Sequence, residues 1–344
     1  MTAKTEQTDV VIIGAGPVGL FAVFELGMLK IRCHVVDSLE AIGGQCRALY
    51  PEKPIYDIPG YPEIMAGDLV DKLERQAAPF APAYHLGQRV EAVSARNGAD
   101  GTGWRVETAA GTRIDCRAIV IAAGCGAFGP NRPPLPGIEA YEGRSLFYMV
   151  GRREDFRGKR IVIAGGGDSA LDWTLSLAEL AETIYVVHRR PKFRGAPESV
   201  AQLHRLAEAD GPVELVVPYQ LHGLDGRDGA LEAVIVRSLD GDERRLPADA
   251  LLAFFGLSMN LGPIAEWGLN LERNLIAVEP ATCETNQPGI FAIGDITHYP
   301  GKLKLILSGF AEAALAAHAI HPLVHPDEEL HWEYSTTKGL PEAR

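Results

Sequence analysis

A short apolar strand, a glycine-rich turn and a helix occur twice in this chain, and that repetition restricts the fold more than any other feature. In the first copy Val10 to Ile13 form a β-branched run, Gly14-Ala15-Gly16-Pro17-Val18-Gly19 follow, and Leu20 to Leu29 carry the spacing of an amphipathic helix. A second strand from Ile31 to Val36 ends in Asp37. Gly14 makes the tight turn, Gly16 lets the backbone approach a pyrophosphate, and Gly19 lets helix and strand pack closely. Asp37 stands where a carboxylate accepts hydrogen bonds from a ribose 2′-hydroxyl. Such a site suits a dinucleotide whose adenosine ribose is unphosphorylated, FAD or NAD.

The second copy runs from Arg160 to Ala164 into Gly165-Gly166-Gly167-Asp168-Ser169-Ala170, then through a helix to Leu180, a strand from Ile184 to Val187, and His188-Arg189-Arg190. Gly14 to Asp37 spans 23 positions, and so does Gly165 to His188. His188 therefore replaces the acid of the first copy. A carboxylate there would repel a ribose 2′-phosphate, whereas His188, Arg189, Arg190 and Arg194 would attract one, because guanidinium groups match phosphate oxygens. The second turn is read as an NADPH site, with Gly165, Gly167, Asp168, Ser169 and Ala170 around the pyrophosphate.

Together the copies predict an α/β protein with two Rossmann-like dinucleotide-binding domains. The length of 344 residues and the 47% hydrophobic content are enough for two packed cores. The 45 acidic against 33 basic side chains give a net charge of −12, which argues against nucleic acid as a partner. Cys33, Cys46, Cys116, Cys125 and Cys283 are odd in number and nowhere spaced CxxC, so neither a disulfide framework nor a zinc ribbon is expected. The opening MTAKTEQTD has no apolar core and no run of about 18 apolar residues follows, so the expected location is the cytoplasm, away from membranes. His204, His222, His298, His318, His321, His325 and His331 have no spacing that compels a metal, and Pro322 speaks against a helical pair of His321 and His325. They are read as satisfied or exposed, and no metal is expected.

Further segments carry a family resemblance. Ile119 to Ala122 lead into Ala123-Gly124, and Thr285 to Gly294 lead into Asp295. In this order the motifs resemble those of the thioredoxin-reductase-like flavoproteins over essentially the whole chain. The resemblance implies FAD in the first site, with Asp295 at its ribityl and phosphate part, and an NADP domain inserted into the FAD domain. The boundaries expected are 1–122 and 251–344 for the FAD domain and 123–250 for the NADP domain. The crossings fall in Gly129 to Gly137 and in Asp249 to Gly256, and they permit the domain rotation that such proteins use.

Thioredoxin reductases carry a redox-active CxxC before the second glycine turn, and those positions fall on Tyr148 and Gly151 here. Without that dithiol, electrons must leave the flavin directly to an acceptor. Gly43-Gly44-Gln45-Cys46 with Leu49-Tyr50-Pro51, and Lys302 to Ile306 with Gly309 to Ala313, resemble the branch of ferredoxin–NADP reductases. That resemblance implies that Gln45 contacts FAD and that Tyr50 stacks on one flavin face. It also implies that the tail His331 to Thr337 covers the other face, often across a homodimer, with Tyr334 and Thr336 in the covering positions. Pro17 belongs to the FAD turn.

The expected activity is hydride exchange between NADPH and FAD, coupled to one-electron transfer with a ferredoxin or flavodoxin. Tyr50, Tyr334 and Thr336 then stack and gate, and no acid or base is needed, because hydride transfer requires positioning. An NADPH-dependent flavin or quinone reductase fits the same two sites, and so does a redox sensor without turnover. Residues 151–160 have a local charge of +3, and with Lys302 and Lys304 they are read as a docking face for an acidic carrier.

Overall fold

The 23-residue spacing of the two copies is the register of two parallel strand pairs. Val10–Ile13 pairs with Cys33–Val36 from Val10 opposite Cys33 to Ile13 opposite Val36. Arg160–Ala164 pairs with Thr183–Val187, with Ile161 opposite Ile184 and Ala164 opposite Val187. The first glycine of each turn donates its N–H to the last residue of the paired strand, Gly14 to Val36 O at 2.8 Å and Gly165 to Val187 O at 3.0 Å. Asp37 and His188 consequently occupy the same place, one residue beyond the strand end.

The computed structural model describes residues 5–98, 101–209, 211–330 and 339. The chain divides into two compact units, Met1–Phe128 with Met259–Arg344, and Gly129–Ser258.

In the first unit a parallel sheet runs Ile290–Ala292, Ala118–Ile121, Val10–Ile13, Cys33–Val36, Ala83–His85. Its central strands are buried on both faces, which is why they read as unbroken apolar runs rather than alternating ones. Val10, Ile12, Val35, Val120 and Phe291 pack on Val23 and Leu26 of helix Pro17–Met28 and on Ala313 and Ile320 of helix Ile306–Val324. The opposite face, with Val11, Ile13, Val36, Ile119 and Ile121, packs on Val90, Val106 and Ile114 of a second sheet. That sheet runs Glu6–Gln7, Arg113–Cys116, Gly101–Thr108, Val90–Gly98. Helices, parallel sheet and second sheet thus form three layers, with the glycine turn at the carboxyl end of the central strand. Helix Ile306–Val324 continues through Pro322.

The second unit has its own parallel sheet, in the order Leu146–Phe147, Ala250–Ala253, Arg160–Ala164, Thr183–Val187, Val213–Val216. Val213–Val216 forms one edge of this sheet, and the strands that follow it leave the sheet. Tyr219–Arg227 and Ala230–Ser238 form a separate antiparallel sheet with Glu243–Pro247. The return crossing also lies later than the sequence reading placed it. Ala250–Ala253 is an interior strand, buried throughout and paired with both Arg160–Ala164 and Leu146–Phe147. Four apolar residues between loops carry no sign of whether they link two sheets or sit inside one, and only the pairing decides. Residues 123–128 likewise stay with the first unit.

Candidate functional site

The first glycine turn opens onto a cleft lined by Gly14, Gly16, Pro17, Asp37, Gln45, Tyr50 and Asp295. Gly14 has φ +113°, and a Cβ there would lie 2.3 Å from Ala122 O, so neither its conformation nor its surroundings admit a side chain. A Cβ on Gly19 would lie 2.0 Å from Gly14 O, which makes this glycine a packing residue, and it does not line the cleft. Gly16 differs from both: its nearest neighbour to such an atom is Gly44 Cα at 4.0 Å. The space it leaves belongs to the cleft.

Helix Pro17–Met28 starts at that space without a side-chain cap and without an acid in its first turn. Proline at the first helical position and bare N–H groups behind it make a ready anion site. Asp37 is nearly buried and held from both sides, Oδ2 accepting from Ala15 N at 2.6 Å and Oδ1 from Leu39 N at 2.8 Å. Burial pushes its pKa up, and the two N–H groups oppose that. Each oxygen keeps a lone pair, so the carboxylate is oriented and still able to accept a ribose hydroxyl.

Tyr50 is anchored on the short helix Gly44–Ala48 by Cys46, whose Sγ lies 3.8 Å from the phenol oxygen. Burial raises the phenol's pKa well above its usual value, so it stays neutral. Asp295 sits in the turn Gly294–Ile296 after strand Ile290–Ala292. This turn is pinned by Glu312 of the last helix, whose Oε2 accepts from Gly294 N at 2.6 Å. Glu312 is 2% exposed and also binds Tyr299 and Lys302.

The cleft suits a dinucleotide on grounds internal to the structure. It offers an uncapped helix start over a glycine-shaped gap, an oriented carboxylate, and an indole N–H of Trp267 on its wall that has no acceptor among the described residues. Trp267, Arg89 and the segment Leu261 to Ile264 were not singled out from sequence. No local pattern marks them, because they arrive from distant parts of the chain.

In the second unit the glycine turn has the same form. A Cβ on Gly165 would meet Phe254 O at 2.7 Å, and helix Asp168–Leu177 again starts without a side-chain cap. Asp168 Oδ1 accepts from Ala196 N at 2.8 Å, and Gly166 O accepts from Arg194 N at 2.7 Å, so the basic loop is tied to the turn. Ser169 is exposed on the first helical turn, while Ala170 is buried against the strand.

His188 does not serve as a surface cation. It is 7% exposed, its ring stacks on Phe193 with centroids 5.3 Å apart, and its Nε2 has no partner among the described residues. Burial first, and then Arg194, Arg189 and Arg190, pull its pKa down against a hydrogen bond with the Lys192 main chain. The neutral ring lies against the turn, where a Cβ on Gly166 would come within 2.3 Å of it. The positive charge comes from Arg189, Arg190 and Arg194, which are exposed and have no carboxylate partner among the described residues.

All five cysteines are free, and only Cys125 is not buried. Burial pushes the Cys46 thiol up to about 11 and those of Cys33, Cys116 and Cys283 up to about 12, so none of the four is nucleophilic near neutrality. At the position of the missing dithiol, Tyr148 donates to Glu142 Oε1 at 2.6 Å.

Two readings of charge are corrected. Lys302 is not a docking cation: its side chain is 4% exposed and it is buried in an ion pair with Glu312. In residues 151–160, whose net +3 already counts Glu154 and Asp155, Arg157 and Arg152 pair with those two acids and Arg160 pairs with Asp249 from outside the stretch, so the local positive charge falls by one. Of the two lysines, Lys304 is the one in an exposed position. Nor are the late histidines all satisfied by the described residues, among which His321 Nδ1 and His325 Nε2 are buried without a partner. Tyr334 and Thr336 lie outside the described residues.

Residues 8–319 match the family model described as pyridine nucleotide-disulphide oxidoreductase. The chain is 64% identical over 335 residues to a ferredoxin–NADP reductase of Paramagnetospirillum magneticum, covering 97% of this chain and 98% of that one. It is 62% identical to a ferredoxin–NADP reductase of Rhodospirillum rubrum, with 97% of each chain covered. Among solved structures it resembles the thioredoxin reductase of Lactococcus lactis, with TM-score 0.76 and 23% identity over 92% of this chain and 99% of that one. The thioredoxin reductase of T. acidophilum gives TM-score 0.77 and 22% identity over 92% and 98%. At these identities the likeness is one of fold.

Proposed function

The chain belongs to the pyridine nucleotide-disulphide oxidoreductase family and to the ferredoxin–NADP reductases within it, and from that premise we propose how its residues divide the work. It is an FAD-dependent oxidoreductase that exchanges electrons between NADP(H) and ferredoxin. The first unit holds FAD and the second holds NADP(H). The observation that carries this division is the single register position occupied by Asp37 in one glycine turn and by His188, with exposed Arg189 and Arg190 directly after it, in the other.

Bound FAD supplies the exchange between a two-electron hydride and one-electron carriers, which no side chain can perform. The protein's part is to bind, orient and exclude. Gly16 and the start of helix Pro17–Met28 receive the pyrophosphate, Asp37 accepts from the ribose, and Asp295, Gln45 and Tyr50 border the remaining length of the cleft. In the second unit Gly165, Gly167 and Ser169 receive the NADPH pyrophosphate, and Arg189, Arg190 and Arg194 receive the 2′-phosphate. His188 supports the turn from below. With four thiols buried and protonated and no dithiol at Tyr148 and Gly151, reduction of disulfide substrates is not part of this activity. Reduced free cysteines also support a cytoplasmic location. A homodimer in which the tail with Tyr334 and Thr336 covers the flavin is the arrangement proposed for the C-terminus.

The test is steady-state reduction of cytochrome c by NADPH through added ferredoxin, repeated with NADH. The turnover should depend on ferredoxin and prefer NADPH. Removing one arginine as Arg189→Ala should lower kcat/KM for NADPH about tenfold, as loss of a charge-assisted bond of about 1.5 kcal/mol requires, and leave NADH unchanged. Turnover indifferent to ferredoxin would favour the flavin or quinone reductase, and equal losses with both nucleotides would overturn the arginine assignment.

A further inference from the structure

The edge of the first unit's parallel sheet carries a side-chain cluster that the dinucleotide chemistry does not use. Cys33–Val36 pairs in parallel with Ala83–His85 so that His34 lies opposite Ala83. His34 and His85 therefore stand on one face, diagonal to each other, close enough for long side chains to meet. Their ring centroids are 5.1 Å apart, and His85 Nε2 is 3.1 Å from His34 Nδ1. Glu6, on the short strand Glu6–Gln7, completes the group, with Oε2 3.6 Å from His34 Nδ1 and 3.8 Å from His85 Nε2.

These three separations have a specific meaning. A tetrahedral zinc ion with nitrogen and oxygen ligands at about 2.0–2.1 Å holds its ligand atoms about 3.3–3.4 Å apart. The observed edges bracket that value, and an ion set just outside the plane of the three atoms, where tetrahedral coordination places it, lies about 2.1 Å from each, which is a zinc–imidazole bond length. Two imidazoles and one carboxylate are also the donors that zinc and its neighbours prefer, whereas calcium and magnesium need oxygen shells. A shared proton between the imidazoles accounts for the 3.1 Å edge alone. It gives no reason for Glu6 to cap both nitrogens.

We propose that Glu6, His34 and His85 form a binding site for a zinc-type divalent transition-metal ion, with three protein ligands and a fourth position left to water. The histidine side chains are 16% and 11% exposed and Glu6 is 43% exposed, so the protein closes the inner side and the ion enters past the carboxylate. To bind, each imidazole presents the lone pair of the nitrogen in the cluster and carries its proton on the other. The ligands come from three separate segments, so the ion binds only the folded chain and clips the N-terminal strand to the sheet edge. The clip adjoins the dinucleotide cleft, because His85 O accepts the N–H of Asp37 at 3.0 Å.

The experiment is titration of the chelator-treated FAD-loaded protein with Zn²⁺, and with Co²⁺ as a spectroscopic substitute. Wild type should take up one ion per chain at this site, with visible cobalt bands of a four-coordinate nitrogen and oxygen site, and its thermal midpoint should rise. His85→Gln should abolish the bands. Glu6→Gln, a surface change that leaves the fold intact, should weaken binding by at least about tenfold. Should His85→Gln unfold, Glu6→Gln decides by itself. Saturation, bands and midpoint shift unaltered in Glu6→Gln and His85→Gln, or no saturable uptake in wild type, would overturn the site.

Discussion

Removal of the Glu312 carboxylate tests how the turn bearing Asp295 is held. Glu312 and Lys302 form an ion pair whose side chains are 3% and 4% exposed, and the same carboxylate accepts from Gly294 N at 2.6 Å and from Tyr299 OH at 2.6 Å. In Glu312→Ala a buried ammonium, a buried main-chain N–H and a partly buried phenol lose their acceptor together. An uncompensated buried charge costs about 3–5 kcal/mol. The two neutral donors add to this only as far as they fail to find water, so the expected loss is about 4 kcal/mol.

Lys302→Met combined with Glu312→Leu removes both charges and keeps volume. It should recover most of that loss, because the pair stabilises little relative to a hydrophobic replacement. The assay is urea unfolding at fixed protein and FAD concentrations, since bound cofactor shifts apparent stability, with a double-mutant cycle over the two sites. FAD retention is read in parallel and should fall in Glu312→Ala, because Gly294 and Asp295 border the cleft. A cost below about 1 kcal/mol for Glu312→Ala, or a double variant as unstable as the single one, would refute the reasoning.

Gly166→Ala should cost about 1–3 kcal/mol by overpacking and weaken NADPH binding, because its Cβ would come within 2.3 Å of the His188 ring. His188→Ala in the same chain should restore much of both, read by thermal midpoint and by KM for NADPH; no rescue would mean that the ring is not the obstacle. Thiol titration of the folded protein near neutral pH should find Cys125 as the only fast-reacting group, with the other four reacting after denaturation. Rapid reaction at Cys46, whose pKa burial lifts to about 11, would contradict the described environment.

Much of the site is local in sequence, and local features were legible. The glycine turns follow from which residues tolerate φ +113° or a carbonyl 2.0 Å from an added Cβ, and those needs are written as glycines at fixed spacing. Charge near burial was the weak point. His188 looks like part of a basic run, yet its ring is inside and neutral while its three arginine neighbours are outside. Lys302 looks like a surface cation, yet Glu312 ten residues later reaches it in the core. One-dimensional spacing gives no solvation, and solvation determines whether a titratable group is a ligand, a strut or a liability.

By itself the sequence determined the two dinucleotide turns, the acid in one against the base-rich loop in the other, and the lack of a dithiol. Each of these is a matter of residue type and separation along one strand–turn–helix unit, and the 23-residue repeat becomes strand register directly. Tertiary structure alone decided that Ala250–Ala253 belongs inside the second sheet, that Glu312 fixes the turn of Asp295, that Trp267 and Arg89 reach the cleft, and that Glu6, His34 and His85 converge. Those outcomes depend on which distant segments pack together. Non-directional burial of apolar surface selects that packing over the whole chain, and no short window of residues contains it.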